Sequence, residues 1–216
     1  MTKLQKIAIY GFGGFGREVA CLLNQINEVN QSWELIGFFD DGVPKGTSNR
    51  YGQVLGGFTD LNNWQTELSI VLAMATPQYL KTVTTGITNP LISFPNIIAP
   101  NVNIFDKQAF AMGKGNLIFL GCRLSSDVNI GDFNLFNGAV SLGHDVKLGN
   151  YNVLGPSTRI SGDCRVGGEN FFGVNSVVLQ GLTIGNKTRI GAGSIVIRNT
   201  KNGFLYYGNP AKKVIL

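Results

Sequence analysis

The chain contains one histidine, His144, and Asp145 follows it directly. An imidazole with an unperturbed pKa near ~6.5 accepts a proton at neutral pH. Eighteen residues further on, Gly162 has no side chain to block a thioester, and its N–H is a candidate oxyanion donor. A base, a carboxylate and an N–H donor suit acyl transfer to a nucleophile. A second group of chemistry-bearing residues lies near the N-terminus. Gly11-Phe12-Gly13-Gly14-Phe15-Gly16 follows the apolar run 6–10, and Asp40-Asp41 closes the next apolar run, 34–41. Glycines at that spacing let backbone N–H groups at a helix start approach a phosphate. Cys21, Cys122 and Cys164 form no CxxC pair and have no histidine close in sequence. A cysteine nucleophile, a disulfide scaffold and a metal site are therefore not expected, and a reducing cytoplasm fits.

The elements that must position these groups show in the spacing of apolar residues. Every sixth residue from Met112 to Val196 is apolar, fifteen positions without an insertion, and His144 lies two residues after one of them, Leu142. The next residue is glycine nine times, including Gly113, Gly131, Gly143 and Gly191. A period of six fits neither helices nor alternating strands; it predicts a solenoid in which three hexapeptides make an 18-residue coil. His144 then occupies a coil corner with its ring outward, between Ser126 one coil above and Gly162 one coil below. Asn134, Asn152 and Asn170 share a slot two residues before the apolar position and should form an internal polar ladder. The glycines are expected to ease backbone turns that other residues resist.

Before residue 100 the pattern differs. KIAIY (6–10) reads as a buried strand, about 17–27 as a helix, ELIGFFDD (34–41) and LSIVLAMA (68–75) as strands, and 77–86 as a helix. Strand, GxGxxG, helix, strand, acidic residue is a Rossmann fingerprint. Fewer than 100 residues precede the solenoid, too few for a complete NAD domain, so residues 1–100 are expected to form a half-Rossmann unit cradling a nucleotide diphosphate. Residues 101–216 are expected to form the solenoid and its tail, whose pattern resembles the left-handed parallel β-helix of the hexapeptide-repeat acyltransferases.

Composition excludes several classes. With 44% hydrophobic residues a real core is available, and no 18-residue apolar stretch or basic leader with an apolar run is present, which fits a cytoplasmic protein. The net charge of +5 comes from six basic residues after Glu169, not from a basic face with interleaved aromatics, so nucleic acid is not an expected partner.

Taken together, YGFGGFG (10–16), FFDDG (38–42), NGAVSLGHD (137–145) and GNPAK (208–212) resemble the sialic-acid O-acetyltransferase and bacillosamine-type sugar N-acetyltransferase family. The resemblance implies acetyl-CoA as co-substrate, a nucleotide-linked amino sugar, of the 4-amino class, as acceptor, and a role in bacterial surface-glycan biosynthesis. It further implies that His144 is the general base supported by Asp145, that Asn137 lies beside it, and that Gly162 supplies the oxyanion N–H. Gly191, Ala192, Gly193, Gly208, Pro210, Ala211 and Lys212 would border coenzyme A. Gly11, Gly13, Gly14, Phe15, Asp40 and Asp41 would hold the nucleotide-sugar. Members are homotrimers with active sites between solenoids. Phe15 and Val153 stand where family members often carry histidines, and residues 73–78 lack a common Asn/Asp-Lys-x-Arg stretch. O-acetylation of a sugar such as sialic acid is the alternative reaction. A non-catalytic trimerisation solenoid or an NAD-binding protein would be alternatives of a different class.

Overall fold

The computed structural model describes residues 4–214. Two compact units divide the chain, one holding residues up to 75 and 79–100, the other 76–78 and 101 onward.

In the first unit, β1 (Gln5–Tyr10), α1 (Gly14–Val29), β2 (Trp33–Phe39), β3 (Ser48–Asn49), β4 (Gly52–Gly56), α2 (Phe58–Asn62), β5 (Leu68–Leu72), α3 (Pro77–Gly86) and β6 (Ile92–Ser93) follow in sequence. The sheet runs β3-β4-β2-β1-β5-β6 and is parallel except for β3. Its central strand β1 buries Ile7, Ala8, Ile9 and Tyr10, as a strand covered on both faces must. Helix α1 buries Val19, Ala20, Leu22 and Leu23 along one stripe. It begins at Gly14, three residues before the sequence suggests, so the glycine loop itself supplies the first turn. A Cβ on Gly16 would stand 2.0 Å from the Gly11 carbonyl oxygen, so glycine there permits close packing of helix on loop. Strand β4 and the five-residue α2 were not foreseeable from periodicity, being too short to complete one.

The second unit is a three-sided parallel β-solenoid. Two-residue strands stack in columns such as Leu124, Leu142, Ile160, Val178 and Val196, each one 18-residue coil from the next. Of the fifteen periodic apolar residues, all except Met112 are at most 5% exposed. The coil starts earlier than the unbroken period: Asn103–Ile104 already pairs with Arg123–Leu124. That step is 20 residues rather than 18, which hides the first coil from a strict six-residue scan. The polar ladder is present and one rung longer than expected. Asn134 Nδ2 donates to Asn116 Oδ1 and Asn152 Nδ2 to Asn134 Oδ1, both at 3.0 Å, and the N–H of Asn170 donates to Asn152 Oδ1.

The glycines following the apolar positions have a different cause from the one their sequence suggests. The left-handed corners lie two residues later and hold mostly other residues, among them Asp127, Phe133, Ala139, Asp145, Tyr151 and Asp163, all at φ between 54° and 60°. Gly131, Gly143, Gly149, Gly155 and Gly173 are glycine because the next coil is too close. A Cβ at Gly143 would meet the Gly162 nitrogen at 2.4 Å, and one at Gly149 the Gly167 carbonyl carbon at 2.9 Å. The solenoid ends in a hairpin: Leu205–Tyr207 adds parallel to Arg189–Ile190, and Lys212–Val214 returns antiparallel to it. No helix among the described residues is long and apolar enough to cross a membrane.

Candidate active site

His144 stands at a corner of the solenoid, two residues past the strand Ser141–Leu142, with its side chain 52% exposed. The corner is fixed by backbone bonds to both neighbouring coils. Asp145 N–H donates to the Ser126 carbonyl at 3.0 Å, and Asp163 N–H donates to the His144 carbonyl at 2.8 Å. The left-handed backbone of Asp145 (φ 59°) turns its carboxylate back onto the preceding ring, where Oδ2 lies 2.8 Å from His144 Nδ1. A carboxylate only accepts, so Nδ1 carries the proton and Nε2 keeps its lone pair free.

Gly162 lies directly beneath this ring and is buried. A Cβ there would be 2.5 Å from His144 Nε2 and 2.6 Å from Cε1, so the absence of a side chain makes room for the imidazole. The Gly162 N–H donates to no acceptor among the described residues. Imidazole, carboxylate and a free N–H donor are thus assembled by one 18-residue step. Asn137 follows Phe136 on a different sheet, and its Oδ1 accepts the Gly138 N–H at 2.8 Å; no hydrogen bond joins it to His144 within the chain.

The two stretches expected to border coenzyme A are brought together. Ile195 N–H donates to the Gly208 carbonyl at 3.0 Å, Ala211 N–H to the Ile195 carbonyl at 2.7 Å, and Gly208 N–H to Ser194 Oγ at 3.0 Å. Gly208 (φ 105°), the cis Asn209–Pro210 bond and Ala211 form the tip of the terminal hairpin, beside the corner of Ala192 and Gly193. Gly191 is packed under the Tyr207 ring, and Lys212 is exposed.

In the first unit, the glycine loop and the paired acids are joined. Gly11 adopts φ 118°, with space for a Cβ denied by the Ala73 carbonyl oxygen at 2.8 Å. Gly13 caps α1 without a side-chain bond. Both carboxylates act as struts. Asp40 accepts from the N–H groups of Phe12 (2.8 Å) and Gly42 (2.9 Å). Asp41 accepts from the Phe58 N–H (2.7 Å) and from the Tyr10 hydroxyl (2.5 Å). Burial, followed by the bond to Asp41, pushes the Tyr10 phenol well above its usual pKa. Tyr10 was not foreseeable as a site residue, because in sequence it is simply the end of an apolar strand. Phe15 is half-buried in the first turn of α1. Val153 is 2% exposed in a row with Leu135 and Phe171. The described residues contain no cluster of metal-ligating side chains.

A Rossmann-like unit followed by a hexapeptide solenoid, with an acid-supported histidine at a solenoid corner, defines an acyltransferase of the left-handed β-helix class. Residues 6–86 match the PglD N-terminal domain family. The acetyltransferase domain of PglB from Neisseria gonorrhoeae, solved with acetyl coenzyme A, superposes with a TM-score of 0.88 at 25% identity, covering 98% of this chain and 100% of that one. WeeI from Acinetobacter baumannii gives a TM-score of 0.87 at 25% identity over 97% of this chain and 100% of that one. A mutant of perosamine N-acetyltransferase from Caulobacter crescentus, solved with CoA and GDP-perosamine, shares the fold at 22% identity (TM-score 0.84; 99% and 98% covered). No curated protein matches the sequence. The chain is therefore similar over nearly its whole length to acetyltransferases of known structure, and its first unit carries the match to the PglD N-terminal domain family.

Proposed function

We propose that the protein transfers the acetyl group of acetyl-CoA to the amino group of a nucleotide-linked amino sugar, of the 4-amino class, in the cytoplasmic assembly of a bacterial surface glycan. The observation that carries this reading is the stacking of the His144 imidazole, bound through Nδ1 to Asp145, upon the unsubstituted Gly162. The acceptor amine attacks the thioester carbonyl and a C–N bond forms. His144 Nε2 takes the proton that the nitrogen loses, and Asp145 stabilises the imidazolium. Negative charge gathers on the carbonyl oxygen, where the free Gly162 N–H would donate to it. When the C–S bond breaks, the imidazolium returns its proton to the departing thiolate. Only this one proton is carried, so no metal or redox group enters the scheme.

The glycine loop with its helix start would hold the diphosphate of the acceptor, shaped from behind by Asp40 and Asp41. The hairpin tip at 208–212 and the corner at 191–193 would border coenzyme A. An exposed corner base needs an opposing wall to exclude water, which a neighbouring subunit of a homotrimer would supply, together with its Asn137. The test is a steady-state assay of acetyl-CoA consumption with 4-amino nucleotide-sugars, with sialic acid as the hydroxyl acceptor. A His144→Ala variant should keep its melting temperature and lose at least a hundredfold in kcat, within the range that general bases contribute. Wild-type kinetics in that variant would remove the base assignment, and turnover with sialic acid alone would reassign the acceptor.

A further inference from the structure

Beside His144, on the outward face of the strand column that contains Ser141, lies a groove of about 400 Å³ bordered by Phe105, Arg123, Ser125, Ser141, Gly143, Arg159 and Ser161. Its composition follows from the register. Arg123, Ser141 and Arg159 occupy equivalent positions on three successive strands, so the two arginines flank the serine. At about 4.8 Å per strand their backbones are about 10 Å apart, a gap that two guanidinium groups span when they converge on a tetrahedral anion. Ser125 and Ser161 repeat the arrangement two residues along the chain, on either side of Gly143.

These groups lack partners. Among the described residues neither guanidinium forms an ion pair, a hydrogen bond or a ring contact, although Arg50 and Arg189 both lie over aromatic rings. The hydroxyls of Ser125, Ser141 and Ser161 are likewise unbonded. Both arginines are exposed, so an anion entering the groove meets two uncompensated positive charges and three free hydroxyls. At one end of the groove Phe105 is 70% exposed, an aromatic face available for stacking. Between Ser125 and Ser161, Gly143 leads directly into His144.

We propose that this groove is a subsite for a nucleotide phosphate, held by Arg123 and Arg159 with the serine hydroxyls and with the base against Phe105. The inference deepens the acyl-transfer reading and rests on it. Both co-substrates of that reaction carry phosphates, so the chemistry is shared and the assay must tell the two sources apart.

The experiment compares the wild type with Arg123→Gln, Arg159→Gln and the double variant in steady-state kinetics and in calorimetric titration with CoA and with adenosine 3′,5′-bisphosphate. Neither arginine touches the reacting atoms, so kcat at saturation should stay within threefold of wild type. A KM for acetyl-CoA raised at least tenfold in the double variant, and unchanged for acetyl-pantetheine, assigns the groove to the donor's phosphates. A KM raised tenfold only for the nucleotide-sugar assigns it to the acceptor's diphosphate, in place of the glycine loop. Unchanged KM values for both co-substrates overturn the proposal, as does a double variant that dissociates in sedimentation, which would make the arginines contacts between copies. Arginine-dependent binding of the bisphosphate by a wild type without acetyl-transfer activity would keep the subsite and remove the acyl-transfer reading instead.

Discussion

The His144 ring rests on the α-carbon of Gly162, one coil away, so closely that a Cβ there would stand 2.5 Å from Nε2. The position of the imidazole is therefore set by a residue that offers nothing but its absence of side chain. Gly162→Ala should push the imidazole outward while the 18-residue stacking persists. We expect kcat to fall about a hundredfold, since a displacement of about 1 Å costs that much in positioned catalysis. Circular dichroism and melting temperature should stay close to wild type. Retained activity in a folded Gly162→Ala protein would mean the ring is not used where it lies.

Asp145 offers a cleaner test of charge than most carboxylates. Its φ of 59° is tolerated by asparagine, so Asp145→Asn keeps both the corner and an acceptor for Nδ1–H while removing the negative charge. The expected outcome is a fall of about tenfold or more in kcat at neutral pH, within the span of general-base effects. The unfolding midpoint should be unchanged. An equal loss of stability would assign Asp145 to the corner alone.

Tyr10 ties the first-unit loop together through Asp41, which also holds the Phe58 N–H. Tyr10→Phe should weaken nucleotide-sugar binding several-fold in titration calorimetry without changing kcat at saturating acceptor. Its pH signature has a definite sign. The folded phenol holds its proton more tightly than the unfolded one, whose pKa is ~10. The stabilisation is complete below that value and is lost as pH rises through the folded pKa. Melting temperatures measured from pH 8 to 11 should decline less steeply in Tyr10→Phe than in wild type.

The internal ladder predicts a stability effect without a kinetic one. Asn152 is fully buried, donates to Asn134 and accepts from the Asn170 N–H. Asn152→Ala leaves buried groups on both neighbouring coils without partners, a cost of about 2–3 kcal/mol. Urea unfolding should show this as a lower midpoint with the same slope, provided the acetyl-CoA assay is run well below the transition.

The thiols should separate by reactivity. Cys122 and Cys164 are completely buried, and burial pushes the Cys122 thiol up to about 11 and raises that of Cys164. Cys21 is half-buried, with Sγ 2.8 Å from the Tyr51 hydroxyl. A thiol reagent at pH 8 should modify Cys21 alone in the native protein and all three cysteines in denaturant. Rapid native labelling of a second thiol would contradict the packing of the coil interior.

Legibility in the sequence tracked how often a local environment recurs. The column through Leu124, Leu142 and Ile160 could be read directly, because each hexapeptide solves the same packing problem and the coil adds the solutions at constant spacing. The same arithmetic placed Gly162 under His144, since a fixed 18-residue step converts sequence separation into contact. Where the repeat slipped, at the 20-residue step from Ile104 to Leu124, the reading stopped short. In the first unit long apolar strands and the glycine loop were visible, whereas β4 and α2 were not, because five residues do not display a period.

The sequence alone determined the two-part architecture, the inward residues, and the pairing of one histidine with a carboxylate and a glycine one coil away. Those follow from periodicity and from side-chain chemistry. Only the tertiary structure decided why the glycines are glycine, because the distance between stacked coils is a property of the assembled solenoid. It also decided that Asp40 and Asp41 turn their oxygens onto Phe12, Gly42, Phe58 and Tyr10. Finally, it decided that Arg123 and Arg159 flank Ser141 without a counter-charge. Whether two cations meet an acceptor depends on every surface folded near them, and no spacing along the chain encodes that.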